Sequence, residues 1–135
     1  MPGIAYIDSS ALLKLAFPEA ETAAVEADLA NREGLVSSRL CAIECARAFR
    51  REEGRPALQS LEDLLEGLVL IEISADIAAQ ASDVGPSELR ALDAIHLASA
   101  LSAGDPSLEV ITYDRRLAAA ARAHGLTVVQ PGRPG

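Results

Sequence analysis

Four acidic residues in this chain stand where acids are least expected. Asp8 closes the apolar run "GIAYI", Glu44 sits among small and apolar neighbours in "RLCAIECARAF", Asp93 interrupts "ALDAIHLASAL", and Asp114 ends "EVITY" just before "RRL". A helix that is apolar on nearly every side is normally buried, and an ionised carboxylate there is costly unless a partner or a cation neutralises it. Each acid has an ordinary explanation. Asp93 could accept from a backbone amide or share a proton with His96, three positions on and on the same helical face. Asp8 and Asp114 could be helix N-caps, although Ser9 and Ser10 offer themselves as caps beside Asp8. A helical glutamate such as Glu44 is usually solvated. If the four converge, the chemistry changes. Crowded carboxylates repel and must share protons or hold a cation, and oxygen-only ligands select a hard ion such as Mg²⁺ or Mn²⁺. Such an ion polarises water into a nucleophile and neutralises phosphate oxygens in an in-line displacement. That is nuclease chemistry.

The elements that would have to position these acids follow from the pattern of the chain. Short β-type runs, "GIAYI" at Gly3 to Ile7, "LVS" at Leu35 to Ser37, "VLIEI" at Val69 to Ile73, "EVITY" at Glu109 to Tyr113 and "TVV" at Thr127 to Val129, alternate with longer helical stretches. Two of the helical stretches open on Pro18 and Pro56 and close on Gly34 and Gly67, the expected asymmetry of helix ends. The alternation predicts an α/β domain with a doubly wound parallel sheet. In such a sheet ligands bind outside the carboxyl ends of the strands where the strand order reverses. Asp8 and Asp114 both occupy strand ends followed at once by a helix. The 135 residues fit one domain, read as 1–130, with "PGRPG" at 131–135 too rich in Pro and Gly to join the core and expected to fray.

Composition narrows the partners. Only 3% of residues are aromatic and Trp is absent, which argues against base-stacking platforms. The net charge of −8 argues against nonspecific polyanion binding. The basic residues are nevertheless informative in kind, because Lys14 is the only lysine and arginine is the better bidentate reader of phosphate. Arg47, Arg50, Arg51 and Arg55 cluster in "ARAFRREEGR", and Arg115 and Arg116 follow Asp114; each cluster reads either as a phosphate contact or as a solvated helix surface. Cys41 and Cys45, four apart in a predicted helix, suit small core positions better than a disulfide. Neither a secretory leader nor a membrane-spanning run is visible, so a cytoplasmic protein is expected.

At the four acids the sequence also resembles a known family. "YIDSSALLKL", "IECARAF", "LRALDAIHLASAL" and "VITYDRRLAAAARAHGLTVV" are similar to the successive motifs of PIN-domain ribonucleases, in particular the VapC toxins of toxin–antitoxin pairs, from Ile4 to about Val129. The resemblance implies a parallel five-stranded sheet with helices on both faces and Mg²⁺-dependent endonucleolytic hydrolysis of structured RNA, often transfer or ribosomal RNA, with Mn²⁺ as a substitute. It assigns Asp8, Glu44, Asp93 and Asp114 to the acidic quartet that holds the metal, and Ser9 and Thr112 to the supporting hydroxyl positions. It also implies a small cognate antitoxin of the VapB type that occludes the site, for instance by inserting an arginine among the acids, and a homodimer. Arg116 departs from the pattern, because some PIN nucleases carry an acid or amide two places after the last aspartate; this speaks against a fully formed second metal site. His96 has no ligand role in the pattern and reads as an orienting or packing residue near Asp93. Tyr6 and Tyr113 read as strand residues.

Two other classes fail on particular residues. A receiver-type signalling domain needs a second acid beside the first and a lysine ending the fifth strand, but Ser9 follows Asp8 and the only lysine is Lys14. A haloacid-dehalogenase-like phosphatase needs Asp where Ser10 stands. The remaining alternative is a PIN fold kept as an RNA- or protein-binding module with little turnover.

Overall fold

The computed structural model describes residues 3–52 and 58–133. Along the chain run β1 (Ile4–Ile7), α1 (Ser9–Ala16), α2 (Thr22–Ala30), β2 (Gly34–Ser38), α3 (Arg39–Glu52), α4 (Leu58–Leu65), β3 (Leu68–Ile71), α5 (Ala75–Asp83), α6 (Ala91–Ser102), β4 (Glu109–Ile111), α7 (Arg115–Ala123) and β5 (Thr127–Val129). The five strands are all parallel, in the order β3-β2-β1-β4-β5. The chain builds outward from β1 through β2 and β3, then returns to add β4 on the other side. The order therefore reverses between β1 and β4, where Ile7 pairs with Ile111.

Helices cover both faces of the sheet, so the middle strand, β1, carries no charged residue along its length. Ala5, Tyr6 and Ile7 are completely buried. Alternation along β1 sends Ala5 and Ile7 into one layer, with Leu12, Val25, Cys41, Cys45, Phe49 and Ile111. It sends Tyr6 into the opposite layer, with Leu97, Leu108, Val110, Leu117 and Ala121. Cys41 and Cys45 are fully buried free thiols, as their spacing suggested. Among the described residues no helix is long and apolar enough to cross a membrane.

Several boundaries differ from those read in the sequence. The ladder of β4 stops at Ile111, and Thr112 and Tyr113 bend out of it. The helix placed after Pro18 begins only at Thr22, and Gly34 opens β2 instead of closing that helix, which is capped at Asn31. Gly67 does follow α4, with φ of 87°, a conformation that favours glycine at a helix end. Helix α5 is a further element that the sequence reading leaves unassigned, and Pro56 and Arg55 lie outside the described residues.

Of the residues set apart as a tail, Pro131 and Arg133 make contacts. The Tyr113 hydroxyl donates to the Pro131 carbonyl (2.5 Å), and Arg133 lies over the Tyr113 ring and donates to Glu21 (2.9 Å). Glu21 also accepts from the buried Lys14 (3.2 Å). Arg133 and then Lys14 hold the Glu21 carboxyl below its ordinary 4.5. A carboxyl depressed on folding contributes stability above its unfolded pKa and loses it as pH falls through the folded value. Glu21→Gln should therefore lower the melting temperature near neutral pH and by less below pH 4.5; parallel acid melting curves for parent and variant would refute this clasp.

Candidate active site at the strand-order reversal

Asp8 and Asp114 reach the same edge because β1 and β4 are neighbours ending in register. The Asp8 amide donates to the Ile111 carbonyl (3.2 Å), which carries the pairing one residue past the strand. Asp8 is the N-cap of α1, accepting at Oδ1 from the Ala11 amide (3.2 Å), so of the three caps the sequence offers Asp8 is used and not Ser9 or Ser10. Ser10 has another task. Its hydroxyl donates to Asp8 Oδ1 (2.7 Å) and accepts from the Tyr113 amide (2.9 Å). Thr112 mirrors it, donating to Asp8 Oδ2 (2.7 Å) and accepting from the Asp114 amide (3.0 Å). Burial pushes the Asp8 carboxyl up in pKa, against the hydrogen bonds from Thr112, Ser10 and Ala11 and the nearby charge of His96.

Asp114 caps α7, with Oδ1 accepting from the amides of Arg116 (2.9 Å) and Leu117 (3.1 Å). Asp93 is the third residue of α6 and is half-buried, not enclosed as the apolar helix suggests; the buried residues of that helix begin at Ala94. Burial and the neighbouring charge of Asp114 raise its pKa, opposed by His96, Arg116 and Arg90. No hydrogen bond to Asp93 exists among the described residues. The pairing with His96 that its spacing allowed is not made.

His96 instead spans from strand to helix. Its Nε2 lies 2.7 Å from Glu44 Oε1, and its Nδ1 lies 2.7 Å from the Tyr6 hydroxyl. Glu44 is partly buried, with its side chain 27% exposed, and the same Oε1 accepts from Ser9 Oγ (3.0 Å). Burial of His96 disfavours its charged form, but the hydrogen bond and charge of Glu44, with Asp8 and Cys41, outweigh this and raise its pKa.

The hydrogen bonds sort the carboxylate oxygens into two groups. Both oxygens of Asp8, Oε1 of Glu44 and Oδ1 of Asp114 accept from the protein. Oε2 of Glu44, Oδ2 of Asp114 and both oxygens of Asp93 accept from no described residue. These oxygens, with Asp93 and Asp114 in mutual repulsion, have the chemistry of a site for a hard cation. Among the described residues, no three His, Cys, Asp or Glu side chains are grouped closely enough to ligate one ion. A shared ion therefore requires the open oxygens to draw together.

Arg47, Arg50, Arg51, Arg115 and Arg116 are exposed and form no ion pair among the described residues. Arg90, which sequence reasoning passed over, joins them. It is the exposed N-cap residue of α6, three residues before Asp93 and close enough to lower that acid's pKa. Its signal in the sequence was that spacing of one helical turn. Ser10 was legible too, as the second hydroxyl after Asp8, but its link to Tyr113 needed the fold.

The sequence matches the PIN domain family over residues 5–128. It is 42% identical to the ribonuclease VapC35 of Mycobacterium tuberculosis, covering 95% of this chain and 97% of that one. It is 38% identical to the ribonuclease VapC46 of the same organism, covering 93% and 96%. The fold superposes with a TM-score of 0.71 on the crystal structure of M. tuberculosis VapC20, described as a sarcin-ricin loop cleaving toxin, at 20% identity over 95% of this chain and 99% of that chain. A chain from a toxin–antitoxin complex of Klebsiella pneumoniae matches with a TM-score of 0.70 at 24% identity, covering 94% and 97%. The match to the family over nearly its whole length, and the close relatives within it, mean that this chain belongs to the PIN-domain family, among the VapC ribonucleases.

Proposed function

We propose that this chain is a Mg²⁺-dependent endoribonuclease toxin that hydrolyses phosphodiester bonds in structured cellular RNA, transfer or ribosomal, in the cytoplasm, and is restrained by a cognate VapB-type antitoxin. What supports the reading is that Asp8 and Asp114 follow neighbouring strands at the strand-order reversal, with Glu44 tied to Ser9 beside Asp8, Asp93 close enough to Asp114 to feel its charge, and open oxygens on Glu44, Asp93 and Asp114 among the described residues. The structural neighbour described as cleaving the sarcin-ricin loop supports structured RNA as the substrate class, and the neighbour from a toxin–antitoxin complex supports the partner. Homodimerisation is part of the same reading.

When bound, Mg²⁺, or Mn²⁺ in its place, would supply an acidified water and neutralise phosphate charge. The residues of the chain do the rest. Ser10, Thr112 and the Ala11 amide hold Asp8, Ser9 and His96 hold Glu44, and Asp93, Asp114 and Glu44 present the open oxygens. Arg90, Arg115 and Arg116 stand beside Asp93 and Asp114 to receive phosphate, with Arg47, Arg50 and Arg51 further along α3. One observation favours a rival, a PIN-fold binding module with little turnover: the acids are not already drawn together as a ligand group.

Three outcomes test the proposal. Hydrolysis by water should leave a 5′-phosphate and a 3′-hydroxyl when mixed small RNAs are incubated with Mg²⁺; 2′,3′-cyclic ends, or full activity in excess EDTA, rule out this chemistry. Asp93 has no hydrogen bond to lose and a like charge beside it, so Asp93→Asn should raise the melting temperature in EDTA. The parent should gain roughly 2 to 3 kcal/mol from Mg²⁺ at a hundredfold excess over its dissociation constant, and the variant much less, with cleavage lost. A variant that is less stable in EDTA and still gains fully from Mg²⁺ makes Asp93 structural. Finally, co-expression with a VapB-type partner encoded beside the chain should yield a co-purifying complex in which cleavage is suppressed, and an uninhibited, uncomplexed chain refutes the pairing.

A further inference from the structure

The Tyr6–His96–Glu44 chain of hydrogen bonds has no part in the hydrolytic step itself, yet it runs from the central strand to a proposed ligand. Tyr6 is completely buried and His96 is 3% exposed, so both polar groups need partners inside the protein. An ionised carboxylate only accepts, so the Nε2 that faces Glu44 carries a proton. The other ring nitrogen, Nδ1, lies 2.7 Å from the Tyr6 hydroxyl, accepting from it when the ring is neutral and donating to it when the ring is charged. Both ring nitrogens are satisfied in either state. The tyrosine holds the ring plane, the two rings standing edge-on at 79°. At the far end, Oε1 of Glu44 takes two bonds, from His96 on α6 and Ser9 on α1, and Oε2 takes none from the described residues. Glutamate has three side-chain torsions to immobilise, and donors from two different helices immobilise them.

We propose that Tyr6 and His96 are positioning residues that lock Glu44 through Oε1 and so leave Oε2 as its single oxygen for a cation. This rests on the metal-dependent reading above. A ligand's outer partners typically affect metal affinity by 10- to 100-fold, and that is the scale on which the relay should act.

The test uses Mn²⁺ as the probe, titrated calorimetrically at one pH into the parent, His96→Leu, His96→Gln, Tyr6→Phe, Glu44→Gln and the double variant Tyr6→Phe/Glu44→Gln, with RNA cleavage measured in parallel. His96→Leu should lose about tenfold in Mn²⁺ affinity and in kcat, with KM for RNA changed by less than about twofold. His96→Gln, whose side-chain amide can still donate to Glu44, should recover most of that loss. Tyr6→Phe should lose less than His96→Leu, and its effect should vanish in the Glu44→Gln background, because the tyrosine acts through the glutamate. A folded His96→Leu with parental Mn²⁺ affinity overturns the inference alone. Should that variant not fold, the Tyr6→Phe cycle decides, and a tyrosine effect of equal size with and without Glu44 sinks the relay. A parent that neither binds Mn²⁺ nor cleaves RNA removes the hydrolase reading, and this inference with it.

Discussion

Three helices begin at one edge of the sheet, and each carries an aspartate in its first turn or cap: Asp8 on α1, Asp93 on α6 and Asp114 on α7. The positive end of a helix favours an anion there, by a few tenths to about 1 kcal/mol at exposed positions. Without those three fields, acids gathered on one edge would only repel one another. With them, the fold tolerates a concentration of negative charge that its burial pattern alone would reject. The strand order makes the convergence unavoidable, because β1 and β4 end in register and both turn directly into helices.

Asp8 is the member of the set that belongs most to the scaffold. Its bonds to Ser10, Thr112 and Ala11 join the end of β1, the exit from β4 and the first turn of α1. Removing its carboxylate would leave the Ser10 and Thr112 hydroxyls only one another as acceptor, 3.3 Å apart, so one of them loses its acceptor at a cost of about 1 to 3 kcal/mol. Asp93 is its opposite, with no donor to its carboxylate among the described residues and a repelling neighbour. Between these extremes lie Glu44 and Asp114, each with one oxygen tied down and one open. The same four acids thus divide their duties between holding the fold and offering oxygens, and an assay of activity alone would not distinguish the two.

The architecture was legible in the sequence because it depends on periodicity. Five short apolar runs spaced by helical stretches leave few arrangements other than a parallel α/β sheet, and strand-end aspartates point to the edge where ligands bind. What was not legible depends on distance across the fold. His96 is three residues from Asp93, so spacing along the helix suggested that pair. Packing of α6 against α3 and β1 instead presents the ring to Glu44 and Tyr6, 52 and 90 residues away in sequence. The capping of α1 stayed open in the sequence for a related reason: Asp8, Ser9 and Ser10 are all competent caps, and the Ser10 hydroxyl proves to be engaged by Tyr113 and Asp8. Asp93 looked enclosed because its helix is apolar all round, but an apolar helix is buried only as far as its neighbours reach, and α6 begins outside them.

The arginines give the edge its second property. Lys14, Arg32, Arg39 and Arg133 are bound in ion pairs, so their charge is locally cancelled. Arg90, Arg115 and Arg116 have no such partner among the described residues, and they stand at the N-terminal ends of α6 and α7, where the helix field disfavours a cation. A sequence shaped only for stability would place acids or hydroxyls there and arginines at the other end of the helix. Places where local preference is broken without a compensating contact within the chain are where a fold has been adapted to something outside it. Here the guanidinium groups, which form no ion pair among the described residues, and the open carboxylate oxygens occupy the same edge, and Arg116 and Arg90 act on Asp93 only through their nearby charge. On the proposed reading, a phosphodiester arriving with a hard cation would satisfy both sets at once, its negative oxygens facing the arginines and the cation facing the acids. Neither an anion alone nor a cation alone would do so, and such a joint demand would let a protein with a net charge of −8 select a polyanion at one place on its surface.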